Sequence, residues 1–355
     1  EISACLVGSE MCIRDRLNSC GNKTQNLGGS KNPLINGAGA TFPFPIYSKW
    51  FYEYHKINPD AKINYQSIGS GGGVRQITEG TVDFGASDMP LSDKEIDKAN
   101  KNNNNSIMNI PTVIGSVVIT YNLPGIDKNI NLTQKAIVDI YLGKIKKWND
   151  EEIVKNNPGI DFPDKDILVC YRTDGSGTTY VFTDFLGKAS QEWKDGPGVA
   201  KDVRFPIGQG AKGNEGVTGI VKQIEYSVGY VEYVYAVQNK LNYANVQNPL
   251  NEFITPSLES LTLAADFSVD KMPDDLRQSI TNANGAGAYP ISSYTYLLIY
   301  QEQRNPRKGK ILKEFLKWSM NEGQVYAKNL GYAPLPESVV AKNILKIDSI
   351  TLSTN

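Results

Sequence analysis

The sequence predicts an α/β protein on three observations. Short β-branched runs alternate with helical patterns from Ile35 onward, several glycine-and-hydroxyl loops lead directly into helices, and 355 residues exceed what one simple core usually spans. The strand candidates, in order, are residues 62–67, 82–87, 112–121, 166–171, 227–233 and 293–300, each rich in β-branched or aromatic side chains. Helical patterns fall between and after them at 72–80, 93–100, 133–143, 178–187, 213–225, 306–320 and 322–330. Residues 50–56, WFYEYHK, carry the aromatic spacing of an amphipathic helix. Asn102 to Asn105 read as a solvated loop. With no long linker, two domains would be joined by short crossings at 110–121 and 288–300, a pair able to act as a hinge.

Composition excludes several functions. Basic and acidic side chains number 37 and 38 with no block of one sign, so the charge balance gives no support to a nucleic-acid partner. The single histidine, His55, reads as a helix-surface residue and leaves no Ser-His-Asp triad and no multi-histidine metal site. No run of eighteen apolar residues exists to span a membrane. Of four cysteines, Cys5, Cys12 and Cys20 lie in the first twenty residues, and Cys170 follows the apolar run DILV as a buried strand residue.

Residues 1–19 fit nothing that follows. They are too polar for a signal core, resemble translated adaptor sequence, and are expected to be non-native or to stand where a signal segment was lost. Leu17-Asn18-Ser19-Cys20-Gly21 resembles the end of a bacterial lipobox, and residues 20–34 read as a flexible tether from an acylated Cys20. Without residues 1–19, acidic and basic side chains balance.

Three loops, 36–50, 67–77 and 172–182, combine glycine with serine or threonine ahead of a helix. Backbone N–H groups at a helix start, with hydroxyls and the helix dipole, form a cradle for an anion, and three cradles suggest one oxyanion held from several sides. Ordinary helix-capping turns are the plain alternative. Nucleotide motifs fail: Asn214 stands where a P-loop needs lysine, and neither Gly37-Ala38-Gly39 nor Gly69-Ser70-Gly71 continues to the glycine of a dinucleotide fingerprint. Gly175-Ser176-Gly177 lacks the first glycine of a nucleophile elbow and any histidine to activate it. Arg172, at the end of a strand and four residues before Ser176, has the planar fork that suits a tetrahedral oxyanion. Asp174 could hold that guanidinium or serve as a cap. Asp88 ends another strand and reads as a turn or cap residue or as an acceptor for a protonated oxyanion. A hydrogen phosphate can donate to it, whereas sulfate cannot.

GAGATFPFPIYSKW, YQSIGSGGGVRQITEGTVDFGASDMPLS, YRTDGSGTTYVFTDFL, KGNEGVTGIVKQIEYSVGYVEYVYA and YPISSYTYLLI, with further blocks in order from Asn36 to Pro336, resemble the phosphate-binding proteins of bacterial ABC phosphate importers. The resemblance implies a two-lobed periplasmic-binding-protein fold of type II, each lobe a mixed β-sheet flanked by helices. Lobe 1 would comprise 35–114 and 290–355, and lobe 2 115–289, joined by two short hinge crossings. It implies a desolvated phosphate held by Thr41, Phe42, Ser70 and Asp88 of one lobe and Arg172, Ser176, Gly177 and Thr178 of the other, with Asp174 in support. Phe42 and Gly177 would act through N–H, and Thr41, Ser70, Ser176 and Thr178 through hydroxyl and N–H. It further implies a monomer outside the cytoplasm that is not an enzyme, needs no cofactor or metal and delivers phosphate to membrane permease subunits. The departures from the family pattern are the N-terminal segment, the asparagine insert and Gly71, where serine is frequent. A phosphatase and a scaffolding surface lipoprotein are the rival classes, and arsenate is the rival ligand.

Overall fold

The computed structural model describes residues 33–354. The expectations for residues 1–19, for Cys5, Cys12 and Cys20, and for nearly all of the tether lie outside the described residues.

The chain runs through β1 (Leu34–Gly39), α1 (Phe44–Ile57), β2 (Lys62–Ser67), α2 (Ser70–Thr78), β3 (Phe84–Ser87) and α3 (Asp93–Asn103) into the long β4 (Ile107–Tyr121). There follow β5 (Asn131–Leu132), α4 (Gln134–Tyr141), α5 (Glu151–Val154), β6 (Leu168–Arg172), α6 (Gly177–Ala189), α7 (Gln191–Asp195), β7 (Gln209–Ala211), α8 (Gly213–Gln223), β8 (Ser227–Glu232) and α9 (Tyr233–Gln238). Next come β9 (Asn242–Tyr243), β10 (Asn245–Gln247), β11 (Phe253–Ile254), α10 (Leu258–Val269) and β12 (Ser292–Tyr300). The described residues finish with β13 (Glu302–Gln303), α11 (Pro306–Met320), α12 (Gln324–Asn329), α13 (Glu337–Asp348) and β14 (Thr351–Leu352).

The main sheet is mixed, in the order β2-β1-β3-β12-β4-β8-β6-β7, with β9 also on β4. Its pivot is β4. Residues Ile107 to Ser116 pair antiparallel with β12, whereas Val117 to Tyr121 pair antiparallel with β8. One strand therefore serves two half-sheets, and its fifteen residues are buried throughout, as a strand covered on both faces requires. The pairs β1–β2, β1–β3, β6–β7 and β6–β8 are parallel, so their connections pass through helices, whereas β3–β12 is antiparallel. Helices α1, α2, α3, α11 and α13 pack on the first half, and α6, α8 and α9 on the second.

Each half has an aromatic core. In the first, Phe51 meets Phe84 and Phe315 with ring centroids 6.1 and 5.3 Å apart. In the second, Tyr230 stacks on Phe182 at 4.3 Å, and Tyr141 meets Phe182 edge-on at 4.6 Å. Cys170 is fully buried in β6 and His55 is exposed on α1, as their sequence contexts predict.

Some elements differ from expectation. The asparagine run is not a loop: Asn102 and Asn103 complete α3, and Asn104 caps it in the left-handed region at φ 47°. The Asn103 amide is buried and donates to the carbonyls of Thr78 and Ala99, which a merely polar reading of the run does not anticipate. Tyr233 leaves the strand pattern to open α9, because Glu232 caps that helix by accepting the Val234 N–H. Strand β1 escapes sequence detection because Gly37 and Gly39 dilute its pattern. A Cβ on Gly37 would fall 2.0 Å from the Phe84 ring, so the glycine is what lets that ring lie against the strand. Helix α10 is hidden because its buried face, Ser260, Leu261, Ala264 and Ala265, is small-residue rich.

The seat of α2 on the sheet depends on Gly73. A Cβ there would lie 2.5 Å from Gly39 Cα and 2.6 Å from the Ala38 carbonyl oxygen, backbone atoms that cannot step aside. Gly73→Ala is expected to cost about 1–3 kcal/mol, the usual penalty of forced overpacking, read as a lower urea midpoint with an unchanged slope.

Candidate anion-binding site

The three glycine-and-hydroxyl loops converge. The first joins β1 to α1, the second β2 to α2 and the third β6 to α6, so each delivers its residues from the C-terminal end of a parallel strand, where open α/β sheets gather ligand groups. Thr41, Phe42, Ser70, Asp88, Arg172, Ser176 and Thr178 are all buried, none more than 3% exposed. The N-cap positions of α1 and α2 are Pro43 and Gly69, which offer no side-chain cap, whereas Ser176 caps α6 by accepting the Thr179 N–H at 3.0 Å.

Arg172 is the centre of the cluster. Its Nε donates to Asp174 Oδ1 at 2.7 Å and its Nη2 to Asp174 Oδ2 at 2.5 Å, a bidentate pair that leaves the Nη1 edge facing inward. That edge lies 3.4 Å from both Thr41 Oγ1 and Thr178 Oγ1. The backbone N–H of Arg172 donates to the Tyr230 hydroxyl at 3.1 Å, so the aromatic core of the second half-sheet fixes where the guanidinium starts. Burial opposes ionisation of Asp174, but its bonds from Arg172 and from the Gly213 N–H outweigh this and hold the carboxyl below its ordinary range.

Asp88 sits at the other side. Thr295 donates to its Oδ1 at 2.8 Å and Ser70 to its Oδ2 at 3.4 Å. Burial, only partly offset by the Thr295 bond, the Arg172 charge and the Ser70 bond, pushes its carboxyl up to about 7. Gly177 must be glycine here, since a Cβ would lie 2.3 Å from Asp88 Oδ2 and 2.4 Å from Ser70 Oγ. The second and third loops also bond directly, with the Gly71 N–H donating to the Gly175 carbonyl at 2.8 Å. A Cβ on Gly71 would approach Gly175 Cα to 3.1 Å, so any larger residue would crowd this contact.

All nine residues singled out in the folded body are thus brought together, with one difference of detail. The Ser176 N–H donates to the Lys201 carbonyl at 2.8 Å, which leaves that residue its hydroxyl and not its N–H for a ligand.

Sequence reasoning missed three neighbours. Thr295 is hidden inside a strand, and only the register of β12 on β3, with Tyr296 opposite Ser87, brings it beside Asp88. Asn214 entered the sequence argument only as the residue that excludes a P-loop, yet it is fully buried and donates to Thr41 Oγ1 at 2.7 Å. Glu232 is fully buried, with Oε2 capping α9 and Oε1 without a partner among the described residues. Burial pushes its carboxyl well above the ordinary range. No group of three histidine, cysteine, aspartate or glutamate side chains with metal-holding geometry occurs among the described residues.

A mixed sheet shared by two helix-flanked halves, with a buried polar cluster where their loops meet, defines a two-lobed binding protein. The family described as PBP superfamily domain matches residues 20–322, and the chain belongs to it, among the phosphate-binding proteins it resembles. The phosphate-binding protein PstS of Pasteurella multocida is 44% identical over 309 residues, covering 87% of this chain and 88% of its own. The protein of the same name from Methanocaldococcus jannaschii is 35% identical over 370 residues, covering 98% and 94%. Among solved structures, a high-affinity periplasmic phosphate-binding protein with bound phosphate aligns with a TM-score of 0.72 at 20% identity, over 91% of this chain and 100% of its own. The fold is accordingly the two-lobed periplasmic-binding-protein fold.

The pH dependence of Asp88 gives a test of this electrostatic picture. A free aspartate titrates near 3.8 and the folded carboxyl near 7, so the folded state retains its proton over that window and loses stability as pH rises through it. In anion-free protein, Asp88→Asn is expected to raise stability at pH 8 by at most about 4 kcal/mol, with the gain shrinking steadily toward pH 4. Urea denaturation at a series of pH values reads the difference.

Proposed function

We propose that the chain is an extracytoplasmic binding protein that captures inorganic phosphate between two lobes and delivers it to an ABC importer. The observation that carries this reading is the pairing of an inward-facing Arg172 edge and several hydroxyl donors with a single carboxyl, Asp88, inside one buried cluster. Thr41, Ser70, Ser176 and Thr178 would donate through hydroxyls, Phe42 and Gly177 through N–H, and Arg172 through its Nη1 edge, while Asp88 accepts the proton of hydrogen phosphate. Asp174 holds Arg172 in place. The lobes would divide at the crossings, 35–114 with 290–355 against 115–289, and the change of partner along β4 at Ser116 and Val117 supports that division. Closure over the ligand would replace its water with this donor set, and Lys201–Glu95, an ion pair of 2.5 Å between segments assigned to different lobes, would help to hold the closed form.

On this reading the protein is monomeric, uses no cofactor, is not an enzyme, and is held at the membrane surface through lipid on Cys20. No helix among the described residues is long and apolar enough to cross a membrane. The partner is the importer's permease, which takes phosphate from the closed form.

Calorimetric titration of the full chain, stripped of anion by partial unfolding, tests the reading. One phosphate per chain with no heat from sulfate is expected at pH 8. The same titration at pH 5.5 should show sulfate binding emerge, because a protonated Asp88 becomes a donor and the repulsion that excludes sulfate is lost. Asp88→Asn should bind sulfate at both pH values. Arg172→Ala should weaken phosphate binding by about 2–5 kcal/mol, the cost of stranding one partner of a buried charge-assisted contact. Absence of heat with phosphate would overturn the reading.

A further inference from the structure

Asn214 is the second residue of α8, fully buried, and its amide links three chain segments. Oδ1 accepts the Glu232 backbone N–H at 3.0 Å. Nδ2 donates to Thr41 Oγ1 at 2.7 Å and to Thr178 Oγ1 at 3.1 Å. The orientation of the amide is settled by its partners. A backbone N–H can only donate, so the oxygen must face Glu232 and the nitrogen must face the threonines.

This arrangement decides the polarity of both hydroxyls. A threonine hydroxyl has one hydrogen to give and two lone pairs to receive with. At Thr41 and Thr178 the neighbours are the Asn214 amide nitrogen and the Arg172 guanidinium, and neither can accept a hydrogen bond. Each hydroxyl oxygen is therefore an acceptor toward these two groups, and each hydroxyl hydrogen must point elsewhere, into the cluster. We propose that Asn214 is a positioning residue for phosphate binding, which turns the Thr41 and Thr178 hydroxyls into obligate donors and so presents an anion with hydrogens from both sides of the cleft. The inference rests on the phosphate reading above, in which those threonines touch the ligand. Because Thr41 follows β1 while Thr178 and Glu232 belong to the β6 and β8 half, the amide completes its bonds only when the two sides meet. Its loss should therefore appear mainly as faster phosphate release.

Two substitutions separate this role from simple packing. Asn214→Leu keeps the volume but neither donates nor accepts. It should weaken phosphate binding by roughly 10- to 100-fold, the scale of losing buried hydrogen bonds, equally at pH 5.5 and pH 8.5. Asn214→Asp replaces the donor with a carboxylate that accepts, turning both hydroxyls away from the ligand. Its loss should exceed that of the leucine variant at pH 8.5 and recover about tenfold or more at pH 5.5, where a protonated carboxyl can donate again. The ionisable groups around this position are Arg172, Asp174, Glu232, Tyr235 and, at the start of the same helix, Lys212 and Glu215, with Asp88 across the cluster. Expressing each affinity relative to wild type at the same pH cancels their own titration.

A double-mutant cycle closes the test. In a Thr41→Val/Thr178→Val background, Asn214→Leu should cost little further affinity, because the hydroxyls it orients are gone. Titration of the full chain with inorganic phosphate, with far-UV circular dichroism to confirm folding, reads every variant, and Asn214→Asp carries the test should the leucine variant not fold. Additive losses in the cycle, or an aspartate penalty that does not change with pH, would overturn the inference while wild-type phosphate binding stands. A wild-type chain that takes up no phosphate would instead overturn the phosphate reading, and this inference with it.

Discussion

A guanidinium can be buried in this site only because Asp174 is beside it, and the rest of the cluster depends on that ion pair. Removing an unpaired arginine from water would be prohibitive, while the two-toothed contact with Asp174 supplies the compensating charge. The pair also directs the arginine. With Nε and Nη2 engaged, the Nη1 edge is what remains for the interior. The charge arithmetic follows: Arg172 and Asp174 cancel, and Asp88 adds either nothing or one negative charge according to its proton. Net attraction therefore cannot hold an anion here. Oriented N–H and O–H dipoles must do so, and dipoles fixed by packing discriminate by geometry and protonation where a bare positive charge would accept any anion.

That demand for fixed dipoles explains the fold around the cluster. The donors come from loops at strand ends, and their positions are set by strands sharing one continuous sheet through β4. Tyr230 joins the second aromatic core to the Arg172 backbone, and in the first half the Tyr47 hydroxyl bonds Thr112, which donates to the carbonyl of Thr295, the residue that bonds Asp88. Each charged group is thus tied to a rigid aromatic layer through a short chain of hydrogen bonds. The glycines complete the arrangement. Gly71 against Gly175, and Gly177 against Asp88, let backbones from the two sides approach closely enough to exclude water.

The residues readable from the sequence were those whose signal is local. Strand ends followed by glycine and hydroxyl groups mark Thr41, Ser70, Arg172 and Ser176, because the motif and the helix start lie within a few positions of each other. Thr295, Asn214 and Glu232 carry no such mark. Their roles come from register and from the packing of distant segments: Thr295 is 207 residues from Asp88, and Asn214 is 173 residues from Thr41. The same holds for the fold. The strongly periodic strands and helices were legible, whereas β1, diluted by glycines that make room for Phe84, was not. Asn103 shows the reverse failure, since a polar residue in a polar run gives no local sign that it will be buried against α2 and Tyr300.

Two buried carboxyls near one anion site would be self-defeating if both ionised. Their surroundings keep them apart in behaviour. Asp88 has hydrogen-bond donors on both oxygens and the Arg172 charge within its field, so its carboxylate is supported and its titration falls near neutrality. Glu232 accepts the Val234 N–H through Oε2, its Oε1 has no hydrogen-bond partner among the described residues, and burial is the largest influence on its carboxyl, pushing it well above the ordinary range. The negative charge on Asp88 further opposes its ionisation. Burial therefore disfavours a charge on Glu232, and its backbone N–H takes part in the cluster by fixing Asn214. For the proposed role of Asp88 as the acceptor of a ligand's proton, a neighbouring carboxyl whose burial opposes charge is an advantage, because a second group titrating in the same range would blur the distinction between an anion that carries a hydrogen and one that does not.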